Sequence, residues 1–272
     1  MWEARGVSDS AIGYASDIGL LRAVNEDSVG VLRLYVAGRR TETLSVLAVA
    51  DGMGGHAKGE VASRLTLRGL MNRVAVESLR GEGGDLPEAL RENARVTNRE
   101  VFDYAREHPE CLGMGSTLTA CVVTEGLVYG VHVGDSRAYL LGPTGIRRLT
   151  KDHTWVQSML DRGEITEEEA RVHPFRSVLT RVVGTHAEVD PDVFATSPEE
   201  DDLLLVCSDG ITSHLTDEEI REASFGAPTP QQACDDIVSL ALARGGADNL
   251  SVIVAPAIPT VNVSPGQISE EP

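Results

Sequence analysis

The stretch of sequence that decides the fold is STLTACVVTEGLVYGVHVGDSRAYLL, residues 116–141. It holds three apolar runs, Ser116–Thr124, Leu127–Val133 and Ser136–Leu141, and two residues separate each run from the next. Short apolar runs that are rich in valine and bounded by glycine and polar residues predict β-strands. Because two-residue connections are typical of β-hairpins, we expect these strands to be antiparallel.

On either side of this stretch, the pattern predicts three more strands and five helices. The strands are Thr43–Ala50, Asp202–Cys207 and Ser251–Val254, and the helices are Ala57–Val76, Leu86–Arg106, Trp155–Arg162, Thr216–Ala223 and Thr229–Ala243. The two longest helices are consecutive, so a helix pair stands between groups of strands. This order favours an α+β layered sandwich over a strictly alternating parallel sheet.

Length and composition predict a single domain,. The chain has 272 residues, 42% of them hydrophobic, and no stretch within residues 1–255 resembles a linker,. Residues 256–272 are rich in Pro, Ser and Glu without periodicity, so we expect a disordered tail there,. There is no charged leader, and no window approaches the roughly 18 apolar residues of a membrane span. We therefore expect a soluble, cytoplasmic protein that does not bind membranes.

Charge and cysteine content exclude several classes of function. The formal net charge of -18 argues against a nucleic-acid partner, because phosphate backbones are bound by surfaces rich in Lys and Arg,. None of the cysteines belongs to a CxxC pair or has zinc-like spacing, and none has an arginine six residues later, as the cysteine-dependent tyrosine phosphatases require,. The four cysteines, Cys111, Cys121, Cys207 and Cys234, lie far apart, and Cys121 and Cys207 lie inside apolar runs, so buried free thiols are the favoured explanation,.

Four aspartates share one local pattern, in which an Asp beside Gly, Ser or Asn lies next to an apolar run. They are Asp51, Asp135, Asp209 and Asp248. Each one alone is explained as a turn residue, since Asp-Gly is common turn chemistry. Four in one chain indicate more, because sheet ends can bring them together and several carboxylates coexist only if cations offset their repulsion.

The residue types of this acidic group indicate its chemistry. A further acidic pair, Glu26 and Asp27, follows Arg22. Oxygen ligands without His or Cys at metal spacing favour Mg²⁺ or Mn²⁺ over zinc. Two such ions can activate a bridging water and stabilise an in-line displacement at phosphorus. The planar fork of donors on Arg22 suits a substrate phosphate.

These residues lie in seven short strings by which the chain resembles the metal-dependent protein phosphatases of the 2C type, specifically their bacterial branch. The strings are DIGLLRAVNED (17–27), ADGMGGH (50–56), GSTL (115–118), VGDSR (133–137), LTKDH (149–153), CSDG (207–210) and DN (248–249). They occur in the family's order and extend from about Ile12 to Val254. Any one string alone is weak evidence for the family, whereas all seven in the same order are very specific evidence.

The resemblance implies an α-β-β-α sandwich, with two stacked antiparallel sheets flanked by helices and a metal cleft at one end of the sheets. The implied reaction is hydrolysis of phosphoserine and phosphothreonine in proteins by a metal-activated water, without a phosphoenzyme intermediate. The implied cofactors are two Mn²⁺ or Mg²⁺ ions and a third, weaker one. The implied partners are phosphorylated proteins, including a serine/threonine kinase or its targets, and we expect a monomer.

The resemblance also implies roles for individual residues. The catalytic residues are Arg22, Asp51, Asp209 and Asp248. Asp51 bridges two metals, Gly52 offers its carbonyl to one of them, and Asp209 and Asp248 bind the other. Arg22 holds the phosphoryl group.

The same resemblance implies three further groups. Glu26 and Asp27 act through metal-bound waters. The third metal maps onto Asp135, Asp209 and Ser177. The segment Asp161–Thr185 resembles the flap of these enzymes, a mobile cover that influences substrate choice.

One position departs from the pattern of many eukaryotic members, which have His where this chain has Met53. His56 lies three residues further on, as in many bacterial members. The general acid for the departing Ser or Thr oxygen therefore stays open between a metal-bound water and His56, for which a structural role at the helix start is an equal alternative. We interpret the other histidines, including His132, as packing or surface residues.

Three other functions have partial support in the sequence. Gly52–Ala57 is a GxGxxA motif of dinucleotide-binding loops, but a second helix comes where a Rossmann unit needs a parallel strand. Asp190-Pro-Asp192 is similar to the paired aspartates of another phosphatase superfamily, but Phe194 does not fit, so we interpret that run as solvated surface. A pseudophosphatase that only binds partners is disfavoured because the principal metal ligands are present.

Overall fold

The computed structural model describes residues 12–36, 42–54, 58–80 and 85–258, and two antiparallel β-sheets form its centre. In spatial order, the first sheet contains β1 (Gly13–Asp17), β11 (Leu250–Pro256), β10 (Leu203–Cys207), β7 (Arg137–Gly142) and β8 (Gly145–Arg148). The second contains β2 (Asp27–Val36), β3 (Glu42–Met53), β5 (Leu118–Thr124), β6 (Leu127–Val133) and β9 (Asp192–Thr196), and the short β4 (Gly115–Ser116) pairs with the end of β3.

Helices cover the outer faces of both sheets. On the second sheet lie α1 (Gly59–Arg80) and α2 (Leu86–Glu107), and on the first lie α6 (Asp217–Gly226) and α7 (Pro230–Ala243). The shorter helices α3 (Trp155–Asp161), α4 (Glu167–Val172) and α5 (Asp209–Thr212) belong to the connections. The predicted α-β-β-α sandwich is thereby confirmed.

The strand β3 shows how the sequence builds these layers. Val46 and Ala48 are fully buried against the helices, whereas Leu47 and Val49 are fully buried against the opposite sheet, where they join residues such as Ile253. Successive side chains of a strand point to opposite faces. A strand buried on both faces therefore reads as the uninterrupted apolar run that the sequence shows at this position.

The strand directions bring the candidate site residues to one end of the sandwich. Because all neighbours are antiparallel, the ends of β1, β3, β6 and β10 and the beginnings of β2, β5, β7 and β11 lie together. We call this the site end; it includes Asp17, Asp51, Val133 and Cys207. A hydrogen bond of 2.7 Å from Ser208 Oγ to Asp27 Oδ2 joins the two sheets there.

The described elements agree with the predicted ones apart from a few bounds and one pairing. β5 and β6 form the expected hairpin, but β7 lies in the other sheet and pairs with β10 and β8, so the expected hairpin of β6 and β7 is wrong. The predicted strand Ser116–Thr124 is interrupted at Thr117 and is divided into β4 and β5. The backbone N–H of Thr117 donates to the carbonyl of Asp51. The predicted first helix begins at Gly59 and continues to Arg80. The strands β1, β2, β8 and β9 and the short helices α4 and α5 were not predicted.

The topology also excludes the dinucleotide-binding alternative. Both full-length neighbours of β3 are antiparallel to it, and α1 is followed by α2, so the parallel strand of a Rossmann unit is missing at this position,. Within the described ranges, no helix combines the length and the apolar character that crossing a membrane requires.

Candidate metal centre

Five aspartates from both sheets lie near one another at the site end. From the second sheet come Asp27, the first residue of β2, and Asp51, near the end of β3; these two are direct partners in the strand register. Asp135 lies in the turn between β6 and β7. From the first sheet come Asp209, which follows β10, and Asp248, which precedes β11.

Burial and repulsion between carboxylates raise the pKa of several members of this group. Burial raises the pKa of Asp51 well above its usual value, and repulsion from Asp27 and Asp209 adds to the effect. Burial and repulsion from Asp209 do the same for Asp135. The pKa of Asp209 is raised by burial and by Asp248, although a hydrogen bond with Asp51 opposes the shift. The aspartates thus form a coupled acidic cluster that is unfavourable in its fully ionised form.

Asp27 shows most clearly what such a cluster requires. Its pKa rises to about 7, mainly because of burial, while a hydrogen bond from Ser208 opposes the rise. Its Oδ1 atom is buried without a hydrogen-bond partner. A buried carboxylate oxygen without a donor is costly unless it meets a cation or a cation-bound water. The carboxylate donors present therefore fit a hard divalent cation.

The carboxylates do not form a closed cage. Among the described residues, no three His, Cys, Asp or Glu side chains stand in the arrangement of a ready-made metal site. Magnesium-type ions are usually held by one or two carboxylates and keep several waters. An open group of carboxylates, spread over several strand ends, is consistent with that mode of binding.

Asn249 fixes the loop that joins β1 to β2. Its Nδ2 donates to the carbonyls of Ile18 and Val24, at 2.9 and 3.1 Å, and its Oδ1 accepts from the N–H of Glu26 at 2.9 Å. Asn249 is buried and directly follows Asp248 in the chain. It therefore ties the loop that carries Arg22 to one of the aspartates. The Asp-Asn string was recognisable in the sequence, but its function in holding this loop was not.

Two hydroxyl residues hold Asp51 in place. Thr117 Oγ1 accepts from the N–H of Asp51 at 2.9 Å, and Ser116 Oγ donates to its carbonyl at 3.1 Å. Thr117 Oγ1 also lies 2.7 Å from the Oγ of Ser136, the neighbour of Asp135. The Gly-Ser-Thr-Leu string thus supplies the supports between two aspartates, a role that sequence reasoning missed because it depends on contacts between strands.

Gly52 lies where no other residue fits without movement. A Cβ at Gly52 would lie 2.2 Å from the carbonyl oxygen of Gly59 and 2.6 Å from that of Glu26. Glu26 Oε1 accepts from the N–H of Gly59 at 3.1 Å, at the first turn of α1. Burial raises the pKa of Glu26 although this hydrogen bond opposes it. The close approach keeps the Gly52 backbone next to Glu26 and Asp51.

Arg22 lies at the rim of the acidic cluster. Its Nη2 donates to Asp248 Oδ2 at 2.7 Å, and its side chain is 48% exposed. The hydrogen bond to Asp248 raises the pKa of the guanidinium, with smaller contributions from Glu26 and Asp51. Since a guanidinium carries five N–H donors, most remain available to a ligand.

His153 supports the turn that carries Asp135 through two hydrogen bonds with Gly134. The N–H of Gly134 donates to His153 Nδ1 at 3.1 Å, and the N–H of His153 donates to the carbonyl of Gly134 at 2.7 Å. His153 Nε2 lies 3.1 Å from Asp192 Oδ2, and Arg181 Nη1 donates to Asp192 Oδ1 at 2.6 Å. The interpretation of the Asp190-Pro-Asp192 run as solvated surface holds in part, since the side chains of Asp190 and Asp192 are 69% and 48% exposed. Asp192 also begins β9 and contacts a nearly buried histidine.

Two other residues of this region, Asp152 and His132, have defined partners. Asp152 pairs with Arg137 through two hydrogen bonds of 3.1 and 2.7 Å, so two of the recognised strings contact each other. His132 is buried, as a packing residue should be; burial lowers its pKa to about 3, and its ring contacts Thr119 Oγ1 and the carbonyl of Lys151.

No hydrogen bond or ion pair between described residues joins Ser177 or the flap-like segment to the five aspartates of the cluster. Ser177 is exposed, within a stretch that follows α4. Trp155, His173 and Phe175 contact one another nearby, with ring centroids 5.5–5.8 Å apart. His56, the candidate general acid, lies outside the described residues, and Met53 is 38% exposed at the end of β3.

Comparison with known proteins gives consistent matches. A family model described as Protein phosphatase 2C matches residues 23–244. The chain is 41% identical over 243 residues to the serine/threonine protein phosphatase PstP of Mycobacterium tuberculosis (strain H37Rv), and this match covers 89% of this chain and 44% of that protein. It is 34% identical over 241 residues to the serine/threonine phosphatase stp of Listeria monocytogenes, and this match covers 89% of this chain and 93% of that protein.

A solved structure extends the likeness to three dimensions. The catalytic domain of the serine/threonine protein phosphatase PstP, in complex with two manganese ions, matches with a TM-score of 0.74 at 39% identity and covers 90% of this chain and 97% of that one. The chain therefore spans less than half the length of the mycobacterial relative and nearly all of the listerial one.

Proposed function

This chain belongs to the protein phosphatase 2C family, and we propose that it hydrolyses phosphoserine and phosphothreonine esters of proteins with the help of divalent cations. The observation that carries the proposal is the convergence of five aspartates from both sheets at one end of the sandwich, with Arg22 at the rim of the cluster. The manganese ions in the PstP catalytic domain support the assignment of Mn²⁺ or Mg²⁺ as cofactor.

Each cation contact is assigned to a residue of the cluster or its surroundings. Asp51 would bridge two ions, with the carbonyl of Gly52 on one of them and Asp209 and Asp248 on the other. Glu26 and Asp27 would act through water, and Asp135 and Asp209, with Ser177 of the flap-like segment, would hold a third ion. When bound, the cations supply Lewis acidity, which lowers the pKa of water and offsets charge on the phosphoryl oxygens.

The protein's own side chains position the substrate. Arg22 is already oriented by Asp248, so its remaining N–H donors can bind phosphoryl oxygens in a fixed geometry,. This charge-assisted contact would strengthen as negative charge develops on the phosphoryl group. The hydrogen bonds of Asn249 hold the Arg22 loop, and those of Thr117 hold Asp51, so that neither group has to reorganise during the reaction.

The same proposal extends to the partners and the surroundings of the enzyme. The substrates would be phosphorylated proteins, among them a serine/threonine kinase or its targets, and the chain would act as a monomer with residues 1–255 as the catalytic domain. The four cysteines are buried and free, which supports a reducing compartment such as the cytoplasm,.

The test is hydrolysis of p-nitrophenyl phosphate and of a phosphothreonine peptide with Mn²⁺, Mg²⁺ or EDTA. We expect turnover that requires the metal and that falls by about a thousandfold or more in Asp209→Asn. The matched control is Asp235→Asn, which removes the charge of an exposed aspartate on α7 and should leave the rate within about twofold,. Metal binding and a cooperative unfolding transition without turnover under any condition would favour a pseudophosphatase and overturn the proposal.

A further inference from the structure

Apolar side chains surround Arg22 in the loop between β1 and β2. Four of the seven residues in positions 18–24 are large, apolar and well exposed: Ile18 (39%), Leu20 (64%), Leu21 (75%) and Val24 (51%). Single exposed apolar residues are common on protein surfaces, but a contiguous group of them marks an interaction site. This group lies directly beside the arginine assigned to the substrate phosphate.

The loop is held in one conformation, so the exposure is not that of a loose segment. Asn249 Nδ2 donates to the carbonyls of Ile18 and Val24, at both ends of the loop. The N–H of Leu20 donates to the carbonyl of Gly246 at 2.7 Å. Gly19 has a φ of +77°, and a Cβ there would lie 2.1 Å from the carbonyl oxygen of Asp248. The fixed backbone presents these apolar side chains to solvent at a defined place.

We propose that the apolar loop 18–24 is a substrate-binding surface that selects phosphoproteins with a large apolar residue two positions from the phosphoserine or phosphothreonine. The inference rests on the proposed function, because it needs the phosphoryl group to be held by Arg22. A substrate held there must place its neighbouring residues over this loop, which is continuous with the site.

The spacing follows from the geometry of an extended peptide. Alternate side chains point to the same side, and two residues span about 7 Å. When the phosphorylated side chain enters the site, the side chains at positions −2 and +2 therefore point towards the enzyme, whereas those at −1 and +1 point away. Leu21 is adjacent to Arg22 in the chain and is the most exposed residue of the group, so it is the main expected contact.

The experiment compares two phosphothreonine peptides that differ only in having Leu or Gln at both −2 and +2. With Mn²⁺, we expect wild-type kcat/KM to be roughly tenfold higher for the Leu peptide, which corresponds to about 1.4 kcal/mol. In Leu21→Gln the ratio of the two values should fall to about twofold or less. The matched control is Leu79→Gln, a similarly exposed leucine that lies about 30 Å along α1 from its site-end residue Gly59 and should keep the wild-type ratio,.

Because each ratio is measured within one enzyme preparation, differences in folded fraction cancel. Hydrolysis of p-nitrophenyl phosphate, which has no flanking residues, separates the two proposals. If the enzyme does not hydrolyse this compound, the proposed function fails. If it does and the wild-type ratio of the two peptide kcat/KM values is near one, only the inference is overturned. A ratio that falls equally in Leu79→Gln would also overturn it. So would a wild-type dimer that Leu21→Gln dissociates, because the loop would then bind a second copy of the chain.

Discussion

Replacing Asp27 by asparagine should stabilise the protein in EDTA at neutral pH. The Asp27 carboxyl is buried, and one of its oxygens has no hydrogen-bond partner. Its pKa rises from 3.8 to about 7, mainly because burial disfavours the charged form; Ser208 lowers the pKa, whereas repulsion from Asp209 and Asp248 raises it further. Asparagine removes the charge and retains an oxygen that can accept from Ser208.

The size of the effect can be worked out from the shift. From 3.8 to about 7 is about three pH units, and each unit corresponds to about 1.4 kcal/mol. The folded pKa lies above the unfolded one, so the unfolded state loses its proton first as the pH rises. The penalty is therefore absent below about pH 4, grows from there to about pH 7 and is then constant. Since the new amide N–H₂ needs partners of its own, we expect a gain of about 2–4 kcal/mol at pH 7.5.

The assay is urea unfolding in EDTA at pH 4.5 and pH 7.5, followed by circular dichroism. Asp27→Asn should exceed wild type in unfolding free energy at pH 7.5 and differ by about 1 kcal/mol or less at pH 4.5. The surface control Asp235→Asn should match wild type within about 0.5 kcal/mol at both values. A variant that is less stable than wild type at pH 7.5 would refute the reasoning, because desolvation and repulsion would then not dominate at Asp27.

Two further substitutions test the site and its support. Arg22→Ala should raise the KM for a phosphothreonine peptide about tenfold or more through loss of the phosphate contact, whereas Arg68→Ala, an exposed position on α1, should leave it unchanged; equal KM values in the two variants would contradict the assignment,. Gly210→Ala should lower the unfolding free energy by about 1–3 kcal/mol, because its Cβ would lie 1.9 Å from the carbonyl oxygen of Asn249. At Gly226 nothing lies within 4 Å of an added Cβ, so Gly226→Ala should cost less than about 0.5 kcal/mol, and similar losses in both glycine variants would count against the close approach,.

The parts of the fold that sequence could predict are those decided by local pattern. The hairpin of β5 and β6 and the two long helices have strong local patterns, so their existence and type can be read from the sequence,. The same two-residue spacing wrongly predicted a hairpin between β6 and β7, because the sheet that a strand joins depends on contacts outside the local window. β2 was missed because its burial is only partial and Gly30 and Arg33 interrupt the apolar pattern. β9 was missed because Asp190-Pro-Asp192 has the composition of a turn, and only the pairing with β6 makes a strand of residues 192–196.

For the candidate site, the residue types were predictable and the supports were not. The Asp-Gly and Asp-Ser patterns mark where strands end, and antiparallel order brings such ends together. The hydrogen-bond partners that support the site could not be predicted, because they are far apart in the chain. Ser208 and Asp27 are separated by 181 residues, and Asn249 and Ile18 by 231. Nothing in a local sequence window indicates which hydroxyl or amide will meet which carboxylate across two sheets.

The alternation of strand directions also determines where other segments can be attached. β1 begins and β11 ends at the end of the sandwich opposite the aspartates. The seven residues of β11 span about 20 Å at strand spacing,. A tag, linker or neighbouring module fused after Pro256 would therefore start far from the substrate entrance, and so would insertions in the turn at Glu125-Gly126. Attachments at the end of the sandwich opposite the site end would therefore lie far from the aspartates.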